Sequence, residues 1–250
     1  MGEENYRNRC YKNYVSRHFV YNHKLSKDEF NFFQKVYKKR YSAFIPKDKN
    51  AKIIDIACGS GHFLYFLQTE GYANSYGIDI SEEQIKVAKK IGVKNVQRAD
   101  LFEYLPHHIE SFDMVIANDI IEHFKKDEII IFLDLIYRSL KKNGILLIGT
   151  NNAMSLFSAS GVFFDFTHEV GFTPNSLAQI MRVCNFNNVR VYGESPIVYN
   201  FLSAIRRLLW FIVTSALKTY ITIERGTGRG FKKHKYIFEP RMFAIGEKSE

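Results

Sequence analysis

The sequence predicts an α/β fold in which a mostly parallel sheet is covered by helices on both faces. Short apolar segments of strand length alternate with longer segments in which apolar residues recur at helical spacing. The strand candidates are apolar on both sides, as expected for parallel strands buried between two layers of helices. With 250 residues the chain is long enough for one large domain and a helical appendage.

The alternation begins near residue 52 and continues through five predicted strands. These strands are residues 52–57, 75–80, 95–98, 112–118 and 144–150, with helices over residues 61–70, 82–91 and 127–140 between them. Ser81 precedes Glu82 and predicts an N-cap, because its hydroxyl can accept a hydrogen bond from the first helical turn. Asn143 and Gly144 follow two lysines, which predicts the end of the third helix before the fifth strand begins.

Beyond the fifth strand the sequence predicts a helix, a strand, an insert and a closing strand. Pro174 suits the first turn of a helix over residues 174–184, and residues 188–193 form a sixth strand. A basic, aromatic insert follows over about residues 197–230 and ends in a glycine-rich break, after which residues 236–246 complete the sheet. The predicted units are an N-terminal helical cap, residues 1–45, and a main domain, residues 46–250.

Composition limits the compartment and the partners. Cys10, Cys58 and Cys184 lie far apart and no histidine cluster has zinc-ligand spacing, which indicates a reducing compartment and no metal ion. The N-terminus carries no apolar signal-peptide core, so we expect a cytoplasmic protein. The sequence contains no nucleic-acid-binding motif, and we expect no nucleic acid partner.

The segment from Asp55 to Gly61 predicts a nucleotide site, because a strand is followed there by a glycine turn and then by a helix. Glycines have no Cβ and let the backbone approach a ligand, and a helix N-terminus supplies N–H groups. Asp79 lies about 20 residues further on, at the end of the second strand, where a carboxylate can bind the two hydroxyls of a ribose. Dinucleotide dehydrogenases share this arrangement.

Three features distinguish the segment from a dinucleotide site. Leu64 occupies the position of the third glycine in the dinucleotide motif. Asp55 lies within the first strand, where a dehydrogenase usually has an apolar residue. Asp100 and Leu101 follow the third strand, and this pair suits the amino group and the apolar face of an adenine. Together these features disfavour NAD.

On these residues the chain resembles the class I methyltransferases that use S-adenosylmethionine, a broad group that includes the ubiquinone and menaquinone methyltransferases. The resemblance covers residues 52–193 and the closing strand. It implies a Rossmann-like class I methyltransferase fold with a seven-stranded, mostly parallel sheet, an antiparallel last strand and flanking helices. It also implies S-adenosylmethionine as cofactor and S-adenosyl-L-homocysteine as product. The residues implied to contact the cofactor are Asp55, Ala57, Cys58, Gly59 and Gly61 in the glycine loop, Asp79 and Ile80 at the ribose, Asp100 and Leu101 at the adenine, and Asn118 and Asp119 at the methionine moiety and the substrate.

Two histidines are candidates for the base that an alcohol acceptor needs, since a histidine has a pKa near neutrality. His123 follows Glu122 just past the fourth strand, where related small-molecule methyltransferases often carry a similar pair in the acceptor pocket. His168 lies in a loop, Asp165 to His168, that resembles a loop of methyltransferases from bacterial surface-polysaccharide and sugar pathways. We predict that His168 is the base and that Asp165 fixes its tautomer.

Other roles for these residues stay open. His123 could instead be a wall of the pocket that orients a neighbour, and the His168 loop could simply be stabilised by Asp165. Glu122, His123 and Asp165 could also form a divalent-metal site that holds a diol, although few ligands have diagnostic spacing.

The hypothesis that we draw is methyl transfer to a hydroxyl of a sugar, either a small nucleotide-linked precursor or a lipid-linked precursor of a surface polysaccharide or capsule. One alternative is a C- or N-methyltransferase of a quinone-like or amine molecule. Another is a catalytically silent scaffold that binds S-adenosylmethionine. The glycine loop cannot distinguish among the three, because each of them binds the cofactor.

Much of the formal net charge of +9 lies in the insert and just after it, since Lys and Arg outnumber Asp and Glu by 8 to 1 in residues 206–235. The helix of the insert, residues 202–218, is amphipathic. The apolar stripe consists of Leu202, Ile205, Leu209, Ile212, Val213 and Ala216. This stripe either packs on the core or on a second subunit of a homodimer, or the helix has a function. It could contact the inner face of a membrane peripherally, or it could recognise a phosphate-bearing acceptor.

Overall fold

The computed structural model describes Tyr6, Cys10 and residues 26–226 and 236–249. Most of the predicted N-terminal cap and the glycine-rich end of the insert therefore lie outside the described residues. Within those residues the predicted α/β fold is confirmed, because seven strands form one sheet between two layers of helices. The division at residue 46 stays a prediction.

The elements follow one another in strict strand and helix alternation as far as β5. In chain order they are α1 (Lys27–Tyr41), β1 (Ile53–Ile56), α2 (His62–Thr69), β2 (Ser75–Asp79), α3 (Glu82–Ile91), β3 (Val96–Arg98), α4 (Leu101–Tyr104), β4 (Phe112–Asn118), α5 (Lys126–Ser139), β5 (Leu140–Asn151), α6 (Ser158–Val162), α7 (Pro174–Val183), β6 (Phe186–Gly193), α8 (Phe201–Arg225) and β7 (Arg241–Lys248). Short 3₁₀ turns lie at Leu105–His107 and Ile121–His123.

The strand order is β3-β2-β1-β4-β5-β7-β6. Strands β1 to β5 pair in parallel, and β7 runs antiparallel to both β5 and β6, as the resemblance implied. The chain order reverses between β1 and β4, which lie side by side in the centre of the sheet. In open parallel sheets the crevice at such a reversal point, outside the carboxyl ends of the strands, is where ligands bind.

Two apolar layers hold the helices on the sheet. Helices α5 and α7 cover one face, and α1, α2 and α3 cover the other. The first helix is part of this core: Phe30 of α1 is buried and stacks on His62 of α2 with ring centroids 3.9 Å apart. Each buried phenylalanine removes a large apolar area from water, so α1 is fixed beside the glycine turn that precedes α2.

Two predicted boundaries were wrong. Helix α5 ends at Ser139 and β5 begins at Leu140, so Asn143 and Gly144 form an irregularity inside the strand instead of a helix end. Asn143 has a φ of 60°, which explains the turn-like signal in the sequence. The segment before β7 is not a strand from residue 236, because the carbonyls of Ile237 and Glu239 accept hydrogen bonds from the Asn152 side chain and not from a neighbouring strand.

Helix α8 contains the predicted amphipathic stripe but turns it outward. Leu202 is 74% exposed and Ile212 is 54% exposed, whereas Ser203 and Thr214 on the opposite side are buried. The alternative in which the stripe packs on the core of the same chain is therefore wrong. None of the helices in the described part of the chain combines the length and the apolarity required to cross a bilayer.

Candidate active site

A cavity of about 670 Å³ lies at the carboxyl ends of the central strands, where the chain order reverses. Its volume falls in the range of small-molecule sites, about 300–1,000 Å³. Most of the residues predicted to bind a cofactor lie on its wall. They are Asp55, Ala57, Cys58, Gly59, Asp79, Ile80, Asp100, Leu101, Asn118 and Asp119, together with His123.

The glycine loop forms the floor of this cavity through backbone that other residues rarely adopt. Gly59 and Gly61 have φ values of 55° and 83°, in the left-handed region. Gly61 caps α2 and also donates its N–H to the carbonyl of Cys58 at 2.9 Å, which makes the turn tight. No side chain of the described residues caps the first turn of α2, so the N–H groups of that turn can face an anionic ligand.

Leu64 fits at the position where the dinucleotide motif has a glycine, because the residue beneath it on β2 has no side chain. Leu64 is fully buried on α2, and Gly77 lies on β2 beneath it. A Cβ on Gly77 would overlap Leu64 Cδ1 and would lie 2.9 Å from Cys58 Sγ. The close helix–strand packing that the third glycine of the dinucleotide motif allows is here obtained from a glycine in the strand.

We expect Gly77→Ala to lower the free energy of unfolding by about 1–3 kcal/mol, the usual cost of overfilling a packed core. Adding Leu64→Ala removes the overlapping atom, so the double variant should lose less stability than the two single variants together. Urea unfolding of the four proteins measures this coupling. Strictly additive losses would contradict the direct contact between Leu64 and residue 77.

Asp79 connects the glycine loop to the end of β2. Its Oδ2 accepts a hydrogen bond from Gly59 N at 2.8 Å and its Oδ1 accepts one from Ser81 N at 2.7 Å. Burial raises the pKa of Asp79, and these two hydrogen bonds oppose the rise. Asp55 lies behind it in β1 with its carboxyl group buried, and burial followed by the charge of Asp79 raises its pKa well above the ordinary value.

Asp100 and Leu101 form the opposite wall, at the end of β3. The Asp100 carboxylate accepts a hydrogen bond from Phe102 N at 2.8 Å and so caps α4, while Leu101 packs into the core beneath. The two carboxylates at the strand ends, Asp79 and Asp100, thus order local backbone and also line the cavity.

A polar network closes the cavity at the end of β4, and Asp119 is its one member that the sequence predicted. Asp119, with a φ of 55°, forms a two-pronged ion pair with Arg241 of β7, at 2.7 and 2.9 Å. Glu194, just after β6, pairs with Arg40 of α1 at 2.9 Å and accepts a hydrogen bond from Tyr41 at 2.8 Å. All five side chains line the cavity.

His123 lies at the same end of the cavity and is 7% exposed. Its Nδ1 is 2.8 Å from Thr167 Oγ1, and that hydroxyl is 2.7 Å from Asp165 Oδ1. An ionised carboxylate can only accept hydrogen bonds, so the Thr167 hydroxyl donates its hydrogen bond to Asp165. The Thr167 oxygen then accepts a hydrogen bond from His123 Nδ1–H. The neutral ring then carries its lone pair on Nε2.

The surroundings of His123 keep its ring neutral. Burial, and after it the neighbouring His168, lower the pKa of His123 to about 4, against an opposing effect of the Asp165 carboxylate. The imidazole is therefore uncharged at neutral pH and can accept a proton. A general base must be deprotonated before it can take up a proton, and His123 is in that form over most of the physiological pH range.

His168 occupies a different position from the one predicted. Its ring packs edge-on to His123 with centroids 4.7 Å apart, and it lines a smaller cavity of about 310 Å³ beside Val162 and Glu169. Its Nδ1 lies 2.7 Å from the carbonyl of Val162, which fixes the proton on that nitrogen. The prediction that Asp165 fixes the tautomer of His168 was wrong, because Asp165 acts on Thr167 and through it on His123.

Glu122 also lies behind the cavity wall. It is 2% exposed, and burial together with the charge of Asp119 raises its pKa to about 8. Its backbone carbonyl accepts hydrogen bonds from Glu169 N at 2.7 Å and Val170 N at 3.2 Å, so this turn holds the loop that carries Thr167 and His168. Across the described parts of the chain, no three His, Cys, Asp or Glu side chains come together as metal ligands, and the alternative metal site at Glu122, His123 and Asp165 is not formed.

Comparison with known proteins identifies the domain. A protein-family model described as a methyltransferase domain matches residues 47–194, more than half of the chain. The chain is 33% identical over 120 residues to a protein-lysine N-methyltransferase of Saccharomyces cerevisiae, across 42% of this chain and 52% of that protein. It is 36% identical over 107 residues to a ubiquinone biosynthesis O-methyltransferase of Pelagibacter ubique, across 42% and 43% of the two chains. The chain spans about half the length of these curated relatives.

A solved structure shows the same architecture over nearly the whole chain. The crystal structure of a SAM-dependent methyltransferase from Archaeoglobus fulgidus superposes with a TM-score of 0.63 at 24% identity, over 93% of this chain and 100% of that chain. At this identity the similarity establishes the fold.

Proposed function

Because the chain belongs to the family of methyltransferase domains, we propose that it transfers the methyl group of S-adenosylmethionine to a hydroxyl group, with His123 as the base that takes up the hydroxyl proton. The observation that carries the proposal is a neutral histidine on the wall of the cavity that the glycine loop also lines. Hydroxyl groups keep their proton at neutral pH, so a positioned base lowers the barrier to their attack on a methyl donor.

The residues of the cavity fit the cofactor. The left-handed Gly59 leaves open backbone on the cavity wall where the methionine part would lie, and the nearest atoms to a Cβ there belong to the Gln84 side chain, at 3.9 Å. Gly61 lies off the wall, and its left-handed turn packs against Val93. Asp79 and Ile80 would hold the ribose, and Asp100 and Leu101 would hold the adenine. When bound, S-adenosylmethionine supplies a methyl group on a positively charged sulfur, and S-adenosyl-L-homocysteine is left as product. The protein then has mainly to position the acceptor and to remove its proton.

The acceptor class rests on narrower support. The two curated relatives are named for protein lysine and for ubiquinone biosynthesis, so their acceptors differ. We retain a sugar hydroxyl, on a nucleotide- or lipid-linked precursor, as the acceptor to test first, and its support is the basic character of the insert, which suits a phosphate-bearing molecule. A C- or N-methyltransferase of a quinone-like or amine molecule is the alternative.

Release of S-adenosyl-L-homocysteine over a panel of acceptors tests the function. The panel contains nucleotide sugars, hydroxylated quinone precursors, phosphoethanolamine and a lysine peptide. We expect turnover with hydroxyl acceptors and none with the amines. Turnover with an amine alone would replace the proposal by N-methylation, and cofactor binding without any turnover would indicate a silent scaffold.

We expect Asp79→Ala to weaken binding of S-adenosylmethionine by about 10- to 100-fold, because hydrogen bonds to a charged acceptor contribute about 1.5–3 kcal/mol each. The substitution also releases Gly59 N from its partner and loosens the glycine loop. Calorimetric titration measures the dissociation constant. Asp113→Ala is the matched control, since Asp113 lies at the other end of the sheet, paired with Lys141. Equal affinity in both variants would remove Asp79 from the cofactor site.

A further inference from the structure

We propose that the carboxyl edge of the sheet, where the cavity opens, docks on an anionic lipid bilayer through two exposed apolar segments. These are helix α8 and the aromatic loop, which we define as residues 156–166 between β5 and α7. The proposal is independent of the acceptor chemistry and does not require that His123 be the base.

Helix α8 presents a continuous apolar stripe to solvent. Successive residues of an α-helix are about 100° apart, so side chains at spacings of three, four and seven lie on one side. Ile223 is 79% exposed and Leu208 is 59% exposed, at the two ends of a stripe that extends over most of the helix. The exposed members of the stripe are Leu202, Ile205, Leu208, Leu209, Ile212, Val213, Tyr220 and Ile223.

The opposite side of α8 attaches the helix to the domain and sets the direction of the stripe. Ser203 and Thr214 are buried there, and Trp210 between them donates a hydrogen bond to Glu239 at 3.4 Å. Arg207 donates a hydrogen bond to the carbonyl of Pro196 at 2.9 Å. Because this inner side is held by the segments before and after the helix, the apolar stripe faces away from the protein.

Basic residues flank the stripe on both sides. On a helical projection Arg206 lies along one border of the stripe and Lys218 lies beyond the other border, whereas Arg207 lies on the inner side, where it bonds to Pro196. Glu224 is the acidic residue of the helix and lies near its end. A helix with an apolar face bordered by Lys and Arg is typical of segments that lie in the interface of an anionic membrane.

The aromatic loop adds a second apolar surface that does not depend on α8. Phe157, Phe163 and Phe166 are 81%, 76% and 85% exposed, and Leu156 and Phe164 are also exposed. Isolated exposed apolar residues are ordinary, whereas several phenylalanines within eleven residues of one loop mark an interaction surface.

Both segments leave the sheet at the edge where the cavity opens. The end of β5, Asn151, pairs with the start of β7, Arg241, and the end of β6, Gly193, pairs with Met242. The connection from β6 to β7 that contains α8 therefore begins and ends beside the point where the aromatic loop begins. Asn152 ties the two together through hydrogen bonds to the carbonyls of Ile237 and Glu239.

The charge pattern favours a lipid surface over a second copy of the chain. In a symmetric dimer the same patch meets itself, which would bring Arg206 and Lys218 of both copies into one interface without a matching set of acidic residues on the helix. Anionic headgroups instead neutralise these cations while the apolar stripe enters the acyl boundary. Docking in this orientation would place the cavity mouth at the lipid surface.

Vesicle flotation tests the proposal. We expect the full chain to float with phosphatidylcholine vesicles that contain phosphatidylglycerol and to remain unbound with phosphatidylcholine alone. Arg206→Glu with Lys218→Glu should weaken partitioning by about 30-fold or more, because each basic residue near an anionic surface contributes about 1 kcal/mol. Leu209→Asp with Ile212→Asp should also reduce partitioning, because it removes apolar side chains from the stripe.

The control variant reverses the same number of charges at a site far from α8. Lys89→Glu with Lys90→Glu reverses two exposed lysines in the last turn of α3, next to the amino edge of the sheet, and should leave flotation unchanged. Retained binding of S-adenosylmethionine shows that each variant is folded. Three results would overturn the proposal: no flotation of the wild type with phosphatidylglycerol, equal loss in the α3 control, or a dimer in sedimentation that Leu209→Asp with Ile212→Asp converts to monomer without any vesicle binding.

Discussion

His123→Ala is expected to lower turnover by about 10²- to 10⁴-fold, the usual contribution of a positioned general base, while binding of S-adenosylmethionine is unchanged. The ring of His123 lines the cavity, and the chain from Asp165 through Thr167 holds its proton on Nδ1. Removing the ring therefore removes the acceptor for the hydroxyl proton without touching the glycine loop. Single-turnover kinetics with saturating cofactor separate the chemical step from binding.

His168→Ala provides the matched comparison, because it deletes the adjacent ring that lines the smaller cavity. We expect a smaller loss of turnover than in His123→Ala. The pH profile gives an independent readout: with a pKa of about 4, His123 stays deprotonated down to pH 5.5, where a histidine of ordinary pKa would already have lost about tenfold of its basic form. A greater loss in His168→Ala would restore His168 as the base, and an acidic limb near pH 6.5 in the wild type would contradict His123 as the base.

The cofactor side of the site could be predicted because its residues are local in the chain. Each of the segments at Gly59, Asp79 and Asp100 lies at the end of one strand and the start of the next helix, so the spacing of a single strand–turn–helix unit defines it. The parallel order of β1, β2 and β3 then brings the three turns to one edge. The alternation of strands and helices in the sequence is therefore sufficient to predict where these three turns lie.

The polar end of the cavity could not be predicted, since it is assembled from distant parts of the chain. Arg241 reaches Asp119 from β7, and Glu194 joins Arg40 and Tyr41 across more than 150 residues. No spacing rule connects positions that meet only because β7 inserts between β5 and β6. The hydrogen-bond partners of the neighbouring His123 and His168 could not be predicted for a related reason, because they depend on how the loop around Thr167 turns.

The spacing of apolar residues also could not predict that the apolar stripe of α8 faces solvent. The helix is apolar on more than one side, because Trp210 and Leu217 lie on the inner side while Leu209 and Ile212 face solvent. A hydrophobic stripe in the sequence predicts that one side is buried, without saying against what. In this chain the buried side is the one that contains Ser203 and Thr214, whose hydroxyls bond to the carbonyls of Asn200 and Trp210.

Glu122→Gln is expected to make the protein more stable than the wild type at alkaline pH and equal to it near pH 4.5. The buried carboxyl has a folded-state pKa of about 8, against an ordinary value of 4.5. Because this pKa is raised, the stability that the neutral acid contributes is complete below pH 4.5 and is lost as the pH rises through 8. Glutamine has the shape of the neutral acid and does not titrate, so between pH 6 and 8 the variant should gain about 2 kcal/mol on the wild type.

Urea unfolding at pH 5, 6, 8 and 9 measures the difference in stability. Glu103→Gln, at an exposed position, is the control that should track the wild type at every pH.

The position of Glu122 in the site explains why its neutral form is needed for turnover as well as for stability. An ionised Glu122 would face the charge of Asp119 while buried, and the turn that it occupies holds the Thr167 loop through Glu169 N and Val170 N. Loss of that turn would release the partner of His123, so alkaline destabilisation in the wild type should be accompanied by loss of turnover that Glu122→Gln prevents. Parallel pH dependences in the two proteins would show that Glu122 ionises freely and does not couple the turn to the base.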